Sequence, residues 1–277
     1  MDDINQQAIR SIQEADTILI GAGAGLSAAA GLTYSGQRFE KIFDKFIAKY
    51  GLTDMYSAGF YSFPTPEAEW AYWAKHIYHN RYENGALPLY EKLLRLVKDK
   101  EYFVITTNVD GQFMKAGFDG HRFFEVQGNY GEFQCSVPCK PLVYDNKDQV
   151  LKMLITTNDQ LEIPSQQLPF CPNCGAPLTR HLRIDNRFVQ DETWNQQQKR
   201  YATFLEGLEG KKIVLLELGV GYNTPTIIRY PFEQLTYQLS QAHLIRFNQT
   251  DTKGVKENAH KTLTLTNDLE EVLTSWL

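Results

Sequence analysis

Apolar residues recur at helical spacing near the start of the chain, with Ile4, Ala8, Ile9, Ile12 and Ala15 on one face of residues 4–15. The pattern then changes to a continuous run, Thr17-Ile18-Leu19-Ile20, which reads as a short buried strand. It leads straight into Gly21-Ala-Gly-Ala-Gly25. A strand, a glycine-rich turn and a helix starting on small residues form the entry to a nucleotide-binding βα unit. Similar runs predict strands over Tyr102–Thr107, Arg122–Gln127, Lys212–Leu218 and Ala242–Phe247. Helices are predicted over Leu89–Lys98, Ile227–Ser240 and Asp268–Trp276. Strands alternating with helices imply an α/β fold built on a doubly wound parallel sheet.

Two stretches interrupt the alternation. Residues 37–84 are helical and aromatic, from Phe39, Phe43 and Phe46 to Trp70, Tyr72 and Trp73. Large rings at this density are expected to fill the core of a small lobe. Residues 131–187 hold all the cysteines. Each stretch reads as an insertion. The sheet domain then comprises 1–36, 85–130 and 188–277, with 37–84 and 131–187 as the two modules of a second lobe. Pro64-Thr-Pro66 and the polar stretch Asp145–Asp148 are expected to be loops. His76 and His79 share a helix face and are expected at the surface.

Composition narrows the function classes. The 277 residues carry 28 Lys+Arg against 33 Asp+Glu, a net charge of −5, which argues against sequence-independent nucleic-acid binding. No apolar run approaches the roughly 18 residues of a membrane span. The opening MDDINQQAIR is polar and lacks the apolar core of a signal peptide, so a cytoplasmic location is expected.

Chemistry-bearing motifs fall at the expected strand ends, where open α/β sheets bind ligands. They are GAGAGLSAAAGL (21–32), Thr106-Thr107-Asn108-Val109-Asp110, Gln127-Gly128-Asn129, Gly219-Val220-Gly221 and Asn248. Cys171-Pro-Asn-Cys174-Gly175 is a zinc-knuckle signal, since two thiolates at that spacing grip one tetrahedral ion. The other pair, Cys135 and Cys139, has three intervening residues instead of two. Four thiolates would make a zinc ion structural; four reduced cysteines packed without metal is the alternative.

In this order the motifs resemble the sirtuins, over about residues 10–275. The resemblance implies a Rossmann-like domain, a smaller helical and zinc-binding lobe, and NAD in the cleft between them. It implies that Ala22, Gly23 and Ser27 meet the NAD phosphates and that Tyr34 lies in the flexible cofactor loop. It places Asn108 and Asp110 at the nicotinamide and Gly219 and Val220 near the adenosine. Asn248 would meet the adenosine ribose and Leu269 the adenine.

The departures bear on the reaction. Sirtuin deacylases keep a histidine where this chain has Gln127. They keep Asp-Phe-Arg where it has Tyr34-Ser35-Gly36, and a Phe-Gly-Glu clamp where it reads HLRIDNRFVQDE (181–192). In deacylation the ribose 2′-hydroxyl attacks an intermediate and needs a general base, whose loss costs on the order of 10²–10⁴ in rate. A glutamine amide has no basic nitrogen but can hydrogen-bond a ribose hydroxyl. ADP-ribosyl transfer needs only nicotinamide departure and a nucleophile from the acceptor.

These departures are similar to the class M sirtuins, which are linked to macrodomain proteins. That branch implies protein mono-ADP-ribosyltransferase activity on a lipoylated glycine-cleavage-H-like carrier protein, reversed by a separate macrodomain protein. It implies Asn108, Gln127 and an arginine as catalytic residues. Arg183 is the favoured arginine, where deacylases carry an aliphatic residue and a buried charge would need a use; Arg187 is in reserve. A weak lysine deacylase and a non-catalytic NAD- or ADP-ribose-binding module are the alternatives.

Overall fold

The structure, a computed structural model, describes residues 3–277. Its strands are β1 (Thr17–Ala22), β2 (Glu101–Thr106), β3 (Phe123–Glu125), β4 (Gly128–Cys135), β5 (Val143–Asp145), β6 (Leu178–Leu182), β7 (Ile213–Leu218), β8 (Ala242–Phe247) and β9 (Thr262–Leu265). Six of them form one sheet in the order β3-β2-β1-β7-β8-β9, with every neighbouring pair parallel. This is the Rossmann order, which reverses between β1 and β7 and opens a crevice at their carboxyl ends. The strands TILIGA and IVLLEL, apolar but for Thr17 and Glu217, are buried along their whole length, as strands covered on both faces require.

The expected strand over Arg122–Gln127 is shorter in the structure. A 3₁₀ turn, Gly120–Arg122, takes its start, held by Asp119 accepting from the His121 amide at 2.8 Å. Among the described residues no helix is long and apolar enough to cross a membrane.

The second sheet is antiparallel, in the order β5-β4-β6. It shares one core with the aromatic helices. Phe39, Phe43, Phe46, Trp70, Tyr72 and Trp73 pack together with Tyr130, Phe133 and Met153 from the later stretch. These rings fill the core as expected, whereas Tyr56, Phe60 and Tyr61 are exposed. The helix Pro66–Ile77 begins where Thr65 Oγ1 accepts from the Ala68 amide and Pro66 occupies the first turn.

Two expectations are corrected here. Asp145–Asp148 is not a loop: Asp145 ends β5 and a helix runs over Lys147–Thr156. The stretch is polar partly because Asn146 is a buried tie. Its Nδ2 donates to the Tyr130 carbonyl at 2.9 Å and its Oδ1 accepts from Tyr82 at 2.6 Å.

His76 is not at the surface but 1% exposed, between the Tyr72 hydroxyl on Nδ1 (3.1 Å) and the Tyr130 hydroxyl on Nε2 (2.9 Å). Burial, with Arg38 and Arg180 nearby, pushes its pKa down to about 3. The native state therefore takes up a proton at His76 far less readily than the unfolded chain. Stability should fall by about 1.4 kcal/mol per pH unit as the pH drops from about 6.5 towards 3. Urea unfolding at pH 7 and pH 5 checks this, and His76→Gln should flatten the dependence.

Candidate active site at the sheet switch point

The crevice is made by close backbone approach. The Gly23 amide donates to the Leu218 carbonyl at 3.0 Å, and the Gly25 amide to the Gly219 carbonyl at 3.0 Å. A Cβ on Gly23 would lie 2.7 Å from the Gly219 oxygen, and one on Gly219, at φ +61, would lie 2.4 Å from Gly25. The glycines thus first lock the β1 turn onto the β7 turn. The helix Ala24–Ala29 then starts at the crevice, with its Gly25 amide bonded to the Gly219 carbonyl and its Leu26 amide to the Gly23 carbonyl.

Behind that turn lies a buried polar cluster. Ser27 Oγ donates to Asp110 Oδ2 at 2.5 Å and lies 3.0 Å from the Tyr90 hydroxyl. Asp110 Oδ1 accepts from the Gln112 amide at 2.9 Å. Burial raises the Asp110 pKa, opposed chiefly by the hydrogen bond from Ser27. Asn108, 8% exposed, donates from Nδ2 to the Gly23 carbonyl at 2.9 Å, and its amide donates to Thr106 Oγ1 at 3.0 Å. One hydrogen bond therefore joins the ends of β1 and β2 through the side chain of Asn108.

Tyr34 ties the segment after this helix to the small lobe. Its hydroxyl lies 2.7 Å from that of Tyr130, which lies 2.9 Å from His76 Nε2. Its carbonyl accepts from the Met55 amide at 2.8 Å, and Arg38 Nη1 holds the preceding Thr33 carbonyl at 2.9 Å. Burial pushes the Tyr34 pKa up to about 12, so the hydroxyl stays protonated and can donate.

Gln127 follows β3 at the lobe junction. Its carbonyl accepts from the Arg183 amide at 3.1 Å, while its side-chain amide makes no hydrogen bond among the described residues. Gly128, at φ +77, lets β4 meet β6; a Cβ there would lie 2.1 Å from the His181 carbonyl oxygen. His181 is thereby the histidine beside this strand, but both ring nitrogens are occupied: Nδ1 by Glu132 (2.9 Å) and Nε2 by the Val189 carbonyl (2.8 Å). Its ring also stacks on Phe188 at 4.6 Å. Nearby, burial pushes the Glu125 pKa up to about 8 against the pull of Arg81.

The two candidate arginines differ. Arg183 is exposed at the end of β6, so the expected buried charge is not present, and its backbone pairs with Gln127. Arg187 is held by Asp185 through Nε (3.0 Å) and Nη2 (2.7 Å).

On the other side of the switch point, Asn248 Nδ2 donates to the Val220 carbonyl at 2.9 Å, and its Oδ1 accepts from the Thr250 and Asp251 amides. Beneath these loops Glu217 is fully buried on β7, between Arg246 Nε at 2.5 Å and Arg229 Nη1 at 3.0 Å. Arg229 also donates to the Val220 and Asp251 carbonyls, so the buried ion cluster holds both turns. Leu269 opens the helix Leu269–Trp276 and packs into the core with Leu26 and Phe247.

The cysteines converge. The sulfurs of Cys135, Cys139, Cys171 and Cys174 lie within 4.8 Å of one another and form no disulfide. Cys135–Cys174 and Cys139–Cys171 are each 3.6 Å apart. A tetrahedral zinc ion with sulfurs at about 2.3 Å spaces them by roughly 3.8 Å, so the set fits zinc and leaves no open position. The extra residue in the first pair is taken up by a turn after β4, with the Ser136 amide on the Pro177 carbonyl.

Sequence reasoning brought most of these groups to the right strand ends. It missed Tyr90, Tyr130, His76 and Arg38, which support them. Tyr130 directly follows Gln127-Gly-Asn, a proximity that could have marked it; Tyr90 looks like any aromatic on an apolar helix face.

Solved Sir2 structures share this fold. One Sir2 enzyme superposes with a TM-score of 0.62 at 16% identity, covering 100% of this chain and 97% of the other. A Sir2 homologue in complex with ADP-ribose gives 0.59 at 15%, covering 100% and 95%. No family model matches the chain. A protein ADP-ribosyltransferase of Staphylococcus aureus strain Mu50 is 36% identical over 281 residues, covering 100% of this chain and 89% of the relative. The chain belongs to the protein ADP-ribosyltransferases of the sirtuin fold. A probable bifunctional ADP-ribose hydrolase/ADP-ribosyltransferase of Fusarium oxysporum f. sp. cubense is 35% identical over 243 residues, 81% of this chain. The match covers only 38% of that longer relative. Of the three residues expected to be catalytic, Gln127 and Arg183 are joined by a backbone hydrogen bond, and Asn108 is anchored on the Gly23 carbonyl.

Proposed function

We propose that this ADP-ribosyltransferase uses NAD and transfers its ADP-ribose, with release of nicotinamide, to a lipoylated glycine-cleavage-H-like carrier protein. The observation that carries the transfer reading is Gln127 at the end of β3, its amide free, beside a His181 whose ring nitrogens are both bonded. In transfer the bond from ribose C1′ to the nicotinamide nitrogen breaks, and the electron pair leaves with nicotinamide. An acceptor nucleophile then attacks C1′ and gives up its proton to solvent. The 2′-hydroxyl does not attack, so the site has no need of a base there.

The chain's residues take these parts. Ala22, Gly23 and the start of the following helix receive the pyrophosphate, with Ser27 fixing the turn through Asp110. Asn108 and Asp110 hold the nicotinamide end, and Gln127 hydrogen-bonds the adjoining ribose. Tyr34 closes over the cofactor from its anchor on Tyr130. Gly219, Val220, Asn248 and Leu269 form the adenosine end, and zinc on the four cysteines fixes the small lobe. Arg183 meets the acceptor, being exposed and tied by its backbone to Gln127. A separate macrodomain protein would remove the mark; the Fusarium relative, named for both hydrolase and transferase activities, supports such a pairing.

Incubation with labelled NAD and lipoylated carrier tests the reading, scoring label on protein against release of acyl groups from acyl-lysine peptide. Label should appear on the carrier. Arg183→Ala should lower it by roughly 10–100-fold, the worth of a charge-assisted contact, with ADP-ribose affinity unchanged. Arg187→Ala should remain near wild type. Acyl release without carrier labelling would overturn the proposal.

A further inference from the structure

A second concavity, a cavity of about 400 Å³, opens at the amino ends of β2 and β3, at the far end of the sheet from the cleft. His121, Arg122, Lys199 and Arg200 line it over the rings of Tyr102 and Phe204. The carboxylate beside them, Glu101, is occupied by Lys211 at 2.8 Å and Thr17 at 2.9 Å. The charge here is thus positive on a chain whose net charge is −5.

The arginines are poorly matched. Arg200 Nε is buried with no hydrogen-bond partner, and the guanidinium's one bond runs from Nη2 to the Gly120 carbonyl at 3.5 Å. Arg122 lies over the Tyr102 ring at 5.2 Å; its Nη1 makes one long bond to the Lys100 carbonyl at 3.3 Å, and its Nε is 3.7 Å from Asp119. A buried donor left unbonded costs about 1–3 kcal/mol. Guanidinium groups present several N–H donors that match the oxygens of phosphate in pairs. We propose that this concavity binds a small phosphate-bearing anion. A monocarboxylate would leave most of these donors idle; a group with several charged oxygens engages both arginines and the lysine together.

Its place gives such an anion a mechanical consequence. Arg122 belongs to the turn that opens β3, and Arg200 to the helix Glu192–Glu206 packed along that strand. At the helix's other end Trp194 Nε1 donates to the Val126 carbonyl at 3.1 Å, next to Gln127. Between them Gln197 Oε1 accepts from the Glu125 amide at 3.0 Å. An anion joining the two arginines braces the strand that delivers Gln127 against its covering helix.

Pyrophosphate titrated calorimetrically into protein saturated with ADP-ribose tests this, because phosphate sites in the cleft are then filled. One saturable site is expected, weakened at least about tenfold by Arg122→Gln with Arg200→Gln, as loss of two charge-assisted contacts implies. Amide hydrogen exchange over residues 120–126 should slow when pyrophosphate is added to the wild type. If the double variant does not fold, Lys199→Gln with His121→Asn replaces it and should also weaken binding. The absence of a saturable site in the wild type, or a folded double variant that binds as tightly, would overturn the proposal.

Discussion

Asn108→Ala is expected to lower ADP-ribosyl transfer by about 10²–10³ while leaving the chain folded, the usual effect of removing one donor aimed at a developing charge. The Asn108 side chain is buried and anchored on the Gly23 carbonyl, so its orientation is fixed before any substrate arrives. The alanine variant keeps the backbone bond to Thr106 and removes little apolar surface. Single-turnover transfer from labelled NAD, beside a thermal unfolding curve, separates the two effects. A loss of activity that tracks a loss of fold would make Asn108 merely structural. Gln127→His, by contrast, should not create a deacylase. It adds one base but neither the Asp-Phe-Arg loop nor the peptide clamp. A large gain in acyl-lysine cleavage would refute the assignment of transfer to this site.

The second large effect is on stability. Cys171→Ser should destabilise the small lobe by several kcal/mol, because zinc binding in such sites is coupled to folding and is worth about 10–16 kcal/mol in small zinc domains. Cys171 is buried, 2% exposed, and its sulfur lies 3.6 Å from Cys139, so a hydroxyl there weakens metal and packing together. Zinc content by mass spectrometry and unfolding with and without chelator give the readout. Protein that is folded and active but free of zinc would end the structural-zinc reading. The loss should reach the cleft, since Tyr130 on the cysteine-bearing strand holds Tyr34.

The sequence by itself determined the parallel sheet, because strands buried on both faces must be written as near-continuous apolar runs, and Ile18–Ile20 and Ile213–Leu216 are such runs. It also placed Asn108, Asp110, Gln127, Gly219 and Asn248 at strand ends, since turn chemistry is local. Its reading of the aromatic helices as core held for most rings for the same reason: apolar area of that size must be covered.

What only the tertiary structure decided depends on partners far apart in the chain. His76 has the same helical spacing whether it faces water or Tyr130, and no local pattern reports a hydroxyl arriving from 54 residues away. Asn146 looked like a loop residue because its ties to Tyr82 and Tyr130 are likewise distant. Arg183 was favoured because deacylases carry an aliphatic residue there and a buried charge would need a use. The strand ends there, and the guanidinium projects into solvent. Short strands such as β9, with four residues, bury too little to leave a mark of their own and exist because β8 offers them an edge.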